Sequence, residues 1–312
     1  MKSWSGLALV LVSLLVVLGA CGGAAPGDTK GPVTIATMID AEGAVLGQMM
    51  VLMLEANEFS VNDRTEFGTP DILRRALESG EVDLVLDYTG SGQYYHDVGD
   101  TDVWSDPVAG YERTKELDLE AHNIHWLTPA MANNTEMLAL KRDFAEQHGI
   151  DDMYDFAEYV NGGGRVKLIT SASFAENMKG LLGYEEAYGF QLTQDQLIVL
   201  SAGNTAEMLM ALAEGTNDVN VSLVYGTDGA LDQLDLVVIA DPLSIPPVYL
   251  PTPVLRGEIF EEYPEIEDIL APVFETLTLE TLQQLNARVA FEGQDAVQVA
   301  RQYLQEHGFL SD

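Results

Sequence analysis

The stretch "TPDILRRALESGEVDLVLDYTG", Thr69 to Gly90, decides the fold. Thr69 can cap a helix, and Pro70 suits the first helical position, where its missing N–H would be unpaired anyway. The helix is expected to stop near Gly80, since glycine readily takes the left-handed conformation that ends helices. "VDLVLDY", Val82 to Tyr88, then reads as a buried strand. A helix, a glycine and a buried strand in succession form the βα-type unit of a mostly parallel sheet. The same grammar returns at "TAEMLMALAEGTNDVNVSLVY", Thr205 to Tyr225, where a helix closes at Gly215 and a strand follows from Val219.

Working outward, "VTIATMI" (Val33 to Ile39) and "RVKLIT" (Arg165 to Thr170) read as strands. "AVLGQMMVLMLEAN" (Ala44 to Asn57) reads as a mostly buried helix. The C-terminal part is helical in "LTLETLQQLNARVAF" and "DAVQVARQYLQEHGF", with Thr278 opening the first and Gly308 ending the second. Two sets of alternating strands and helices predict an α/β protein of two lobes. In such folds ligands bind beyond the carboxyl ends of strands. Three polar turns belong there: "LDYTGSG", "VYGTDG" and the start of "ANNTE" (Ala132 to Glu136).

The chain has 312 residues, room for about two domains. Its formal charge is -35, from 50 acidic and 15 basic residues. That sign repels nucleic acid and anionic headgroups and attracts cations. At the N-terminus, Lys2 precedes an apolar run from Leu7 to Leu18, shorter than the roughly 20 residues of a membrane span. Leu18-Gly19-Ala20-Cys21 resembles the lipobox of bacterial lipoproteins, which implies a signal peptide over 1–20 and a lipid on Cys21. The other reading is an ordinary secreted protein. Cys21 is the single cysteine, so no internal disulfide is available. "GGAAPGDTKGP" follows as a flexible tether, assigned to 21–32.

The chemistry-bearing residues point away from catalysis. There is no G-x-S-x-G, no P-loop and no G-x-G-x-x-G. His122 and His125 lack a third metal ligand and fit a surface turn leading to Trp126. No metal site and no cofactor site is expected. Tyr88, Tyr225 and Tyr249 are more informative, because each stands at a strand end or in the proline-stiffened "SIPPVYLPTP". Tyrosine ring faces around a cleft attract a cation, above all a quaternary ammonium, by about 0.5–2 kcal/mol each. From spacing alone, packing at a lobe edge with the hydroxyl in water is the favoured reading for any single tyrosine.

Several stretches together make the chain similar to a known family: "LGQMMVLMLEANEFSV", "ALESGEVDLVLDYTGSG", "WLTPAMANNTEMLAL", "VYGTDGAL", "IPPVYLPTPVLR" and "LNARVAFEGQDAVQVARQYLQEHGF". It resembles the substrate-binding lipoproteins of ABC importers for glycine betaine, proline betaine, carnitine and choline. The resemblance implies the type II periplasmic-binding-protein fold, with two interlobe crossings and closure on the ligand. Carried over, the first lobe is 31–130 plus 230–312 and the second is 131–229. The family's cage falls on Tyr88, Tyr225 and Tyr249, and its polar contacts on Ser91 and Asn134. Tyr94, Tyr95 and Trp126 are not cage positions and read as packing or rim. Three positions depart from the family. Glu136 stands where tyrosine is common, Gly43 aligns with a glutamine, and "NMKG" (Asn177 to Gly180) replaces Arg-x-Asp-Gly.

These readings predict an extracytoplasmic, membrane-attached lipoprotein that captures a small cationic or zwitterionic solute and hands it to an ABC permease. A sensor or adhesin on the same fold is the rival class. Glu136 is the residue expected to set ligand preference.

Overall fold

The computed structural model describes Met1 and residues 29–99, 102–201, 205–231 and 233–311. Cys21, the expected signal peptide after Met1 and the tether up to Asp28 lie outside the described residues. Among the described residues, ten strands form two five-stranded sheets. The first contains β1 (Lys30–Met38), β2 (Phe59–Gly68), β3 (Leu84–Tyr88), β4 (Ile124–Trp126) and β10 (Pro251–Arg256), in the order β2-β1-β3-β10-β4. The second contains β5 (Glu136–Lys141), β6 (Leu168–Ser171), β7 (Leu197–Leu200), β8 (Val221–Tyr225) and β9 (Leu236–Val238), in the order β7-β6-β8-β5-β9.

The two sheets have one topology. In each, three neighbouring strands run parallel, as in β2-β1-β3 and β7-β6-β8. Each is completed by two antiparallel pairings, made by β10 and by β5. The sheets are therefore mixed, yet four of the five strands in each share one direction, as the mostly parallel reading implies, with β10 and β5 reversed. Both antiparallel strands enter their sheet from a crossing between lobes rather than from a βα unit, which frees them from the parallel direction.

The Thr69–Gly90 unit folds as its residues dictate, with one exception. Helix α2 spans Pro70–Ser79 and ends at Gly80 with φ 75°. Thr69 makes no side-chain capping bond; its carbonyl accepts from Ile72 and Leu73 N–H, both at 3.0 Å. Helix α1, Ala41–Ala56, is buried from Glu42 to Leu54, because it packs under the first sheet against the helices Leu279–Ala290 and Ala296–Glu306. A helix apolar all round belongs in such an interior position. Thr278 accepts from Thr281 N–H and caps the first of those C-terminal helices as expected.

Two boundaries differ from the sequence reading. Strand β1 begins at Lys30, so the last residues assigned to the tether are already paired with β2. Strand β9 lies in the second sheet, hydrogen-bonded to β5, although residues from 230 onward were assigned to the first lobe. Leu236 and Ile239 belong to the second core for the same reason. The chain thus crosses at 127–135 and again at 239–250. The two crossings are tied side by side. Asn134 N–H donates to the Tyr249 carbonyl (2.8 Å), Tyr249 N–H to Asn133 Oδ1 (2.9 Å) and Thr135 Oγ1 to the Pro247 carbonyl (2.7 Å).

Candidate functional site

β3 and β8 hold corresponding places in the two sheets, and each ends in a tyrosine. Tyr88 Oη donates to Glu42 Oε1 at 2.7 Å. Tyr225 Oη makes a longer 3.5 Å contact with Glu136 Oε1. Glu136 opens β5 directly opposite Tyr225, so the antiparallel register fixes this pair. The side chain of Glu136 is 8 % exposed, and burial pushes its carboxyl up to about 7; the tyrosine contact opposes only part of that rise. Its charge also acts on Tyr94, Tyr249 and Tyr184. Glu136 therefore faces an aromatic cluster and not solvent.

Tyr249 lies on the second crossing. Its hydroxyl meets that of Tyr94 at 3.3 Å, and Tyr94 Oη accepts from Asn177 Nδ2 of the second lobe at 3.0 Å. Tyr94 is half exposed, at 52 %, which makes it the rim of the cluster. Gly90 seats the Tyr249 ring: a Cβ there would fall 2.7 Å from two ring carbons. The glycine of "LDYTGSG" is thus required by the ring that crosses above it.

Asn134 and Ser91 have different surroundings. Asn134 Nδ2 donates to Glu42 Oε1 at 3.2 Å, and its Oδ1 receives Thr227 N–H at 3.4 Å. Ser91 instead sets its hydroxyl against Asp87 and Tyr95. It joins a polar group behind β3, where Tyr95 Oη donates to Asp87 Oδ2 (2.8 Å) and the Arg74 guanidinium covers the Tyr95 ring at 4.2 Å. Trp126 is fully buried there and donates to Asp118. The structure therefore gathers Tyr88, Asn134, Glu136, Tyr225 and Tyr249 where the ends of β3 and β8 meet the two crossings, and sets Ser91 behind β3.

Glu42 is the site residue that the sequence reading missed. It is 5 % exposed in the first turn of α1 and receives Tyr88, Asn134 and Asn286. Burial outweighs these donors and pushes its carboxyl up to about 7. Only its place next to Gly43 hinted at a role. Gly43 itself admits no side chain, since a Cβ would lie 2.5 Å from the Met38 carbonyl oxygen. His125 stacks on Phe260 (4.1 Å between centroids) while His122 lies by Glu78, so the two histidines serve different neighbours. A separate cavity of about 310 Å³, lined by Arg142, Gly229, Leu236 and Gln283, shares only Asp228 with the surroundings of the cleft.

Two lobes of one topology joined by two tied crossings are the architecture of a two-lobed solute-binding protein, in which hinge motion clamps the ligand. A family model for the substrate-binding domain of the ABC-type glycine betaine transport system (OpuAC) matches residues 31–306. The glycine betaine-binding protein YehZ of Escherichia coli K12 is 39% identical over 309 residues, which cover 99% of this chain and 98% of that protein. A glycine-betaine-binding protein of Pseudomonas aeruginosa is 33% identical over 277 residues, covering 87% and 86%. The solved structure of apo YehZ from Escherichia coli aligns with a TM-score of 0.73 at 40% identity, over 90% of this chain and 100% of that one. The chain belongs to the family of ABC-importer substrate-binding domains of the glycine betaine type. It is the extracytoplasmic solute-binding component that works with an ABC permease.

Proposed function

We propose that the protein captures a small quaternary-ammonium solute between its lobes. Tyr88, Tyr225 and Tyr249 would face the cationic head, and Asn134 would reach the polar end. The observation that carries this reading is the pairing of strand-end tyrosines with buried carboxyls. A phenol that donates to a carboxylate has a more electron-rich ring, and a ring face of that kind attracts a cation in a site poor in water. The names of the relatives put glycine betaine within the class. Glu136 adds a preference inside it: beside a carboxyl, a cation such as choline is favoured over a zwitterion that brings its own carboxylate.

Calorimetric titration with choline, glycine betaine, carnitine, proline betaine and a polyamine ranks these ligands. A solute at 100 times its dissociation constant adds about 2.7 kcal/mol of stability. Glu136→Tyr is expected to move the preference toward betaines. Binding of none of the quaternary amines would sink the reading, and an unchanged ranking in Glu136→Tyr would remove Glu136 from it. The anchoring lipid is part of the proposal, supported by the Leu18-Gly19-Ala20-Cys21 motif. Cys21→Ser is expected to move the full chain from the membrane fraction to the soluble one, and retention in the membrane fraction argues against lipid on Cys21.

A further inference from the structure

Glu42 is the second buried carboxyl of the cleft. Its Oε1 receives Tyr88 Oη (2.7 Å) and Asn134 Nδ2 (3.2 Å), its Oε2 receives Asn286 Nδ2 (2.7 Å), and the Thr227 side chain lies beside the carboxyl. These groups come from β3, the first crossing, the helix Leu279–Ala290 and the turn after β8. So many donors on one carboxyl suit the ionised form, which only accepts. No lysine or arginine forms an ion pair with it among the described residues. The charged groups nearby are acidic as well. Asp40 caps the same helix, and Asp40, Asp228 and Glu136 all act on Tyr225.

The network is arranged around that charge and not for balanced hydrogen bonding. Asn286 directs its amide group to Glu42 and to the Thr227 carbonyl (3.0 Å), and its Oδ1 is buried with no partner. An orphaned buried carbonyl is costly, and an apolar or neutral cluster would avoid it. A buried negative charge that meets only dipoles lacks a countercharge.

We propose that Glu42 is a specificity-determining residue of the solute site: its negative charge, held at the Tyr88 hydroxyl, is the countercharge of the bound cation. This rests on the quaternary-ammonium reading above. It deepens that reading by assigning charge recognition to a residue outside the tyrosine cage. Because burial pushes the Glu42 carboxyl up to about 7, the charge is lost as the pH falls through neutrality, and cation affinity falls with it. Glu136 titrates in the same range, so substitution at each position separates the two.

The test is calorimetry on the full chain with two probes, choline and the neutral isostere in which carbon replaces its nitrogen, across roughly pH 5.5–8.5. Wild type is expected to prefer choline by at least about tenfold at the alkaline end, a preference that shrinks as the pH falls. Glu42→Gln is expected to cut that preference about tenfold and to flatten part of the pH dependence, with Glu136→Gln as the parallel control. Tyr88→Phe keeps the ring and the charge but removes one donor, which raises the Glu42 pKa and moves the midpoint of the profile upward. That variant carries the test if Glu42→Gln fails to fold. Choline binding with an unchanged preference in Glu42→Gln, or an unmoved midpoint in Tyr88→Phe, overturns this inference alone. If wild type binds no quaternary amine, the solute reading falls and this inference with it.

Discussion

β3 of the first lobe and β8 of the second occupy the same place in sheets of the same order, and each ends in a tyrosine that touches a buried carboxyl. Behind these matching ends the lobes differ in how they bury charge. Under β3 lies a full ion pair: Arg74 Nη1 and Nη2 meet Asp118 Oδ2 and Oδ1, each at 2.7 Å, and His96 and Trp126 complete the shell of Asp118. The second lobe has an apolar core around Phe156, Phe174 and Leu223, and its ion pairs Arg142–Asp235 and Arg165–Asp218 lie in solvent. Its buried charge sits instead on Glu136, which, like Glu42 beside Tyr88, has no cation beside it among the described residues. A paired charge can serve stability alone. An unpaired one at a cleft is an invitation to a ligand.

The sharpest way to break this comparison is Asp118→Ala. It leaves Arg74 buried with Glu78 (2.6 Å) as its remaining ion-pair partner and is expected to cost about 3–5 kcal/mol, read as a lower urea midpoint. A loss near the 0–1 kcal/mol of a surface pair would erase the contrast between the lobes.

Glu136→Gln should act in the opposite direction. The folded carboxyl titrates near 7 and an unfolded one near 4.5, so the folded chain holds this proton more tightly. Stability from this group is therefore greatest at low pH and is lost as the pH rises through 7. At pH near 8 the substitution is expected to stabilise the ligand-free protein by up to about 3 kcal/mol, a gain that fades toward pH 4. Thermal denaturation at the two pH values checks it. Equal stability of both forms at the alkaline end would mean that the Glu136 charge is well solvated, and its contrast with the paired Asp118 would disappear.

Much of this architecture was legible in the sequence because it rests on local signals. Gly80 and Gly215 each close a helix, and the buried strand after each brings a tyrosine to its carboxyl end. β2 was not legible. Its residues Asn62, Asp63, Arg64 and Glu66 are exposed, so it shows no apolar run to read as a strand. β9 was missed because three residues paired to a distant strand carry too little pattern. Glu42 was hidden for another reason. Its partners Tyr88, Asn134, Thr227 and Asn286 lie far apart along the chain, and only the folded lobes bring them together. Ser91 shows the reverse: the resemblance marks it as a contact, yet its side chain lies beside Asp87 and Tyr95 behind β3.

The exposed polar residues of β2 also bear on how copies of the chain behave when crowded. β2 is the outermost strand of its sheet, paired with β1 along one side. A free strand edge is a template for sheet growth between neighbouring molecules. Asp63, Arg64 and Glu66 line this one, and a molecule of formal charge -35 already repels its copies. The protein can therefore be held at high density on a surface with little tendency to join edge to edge.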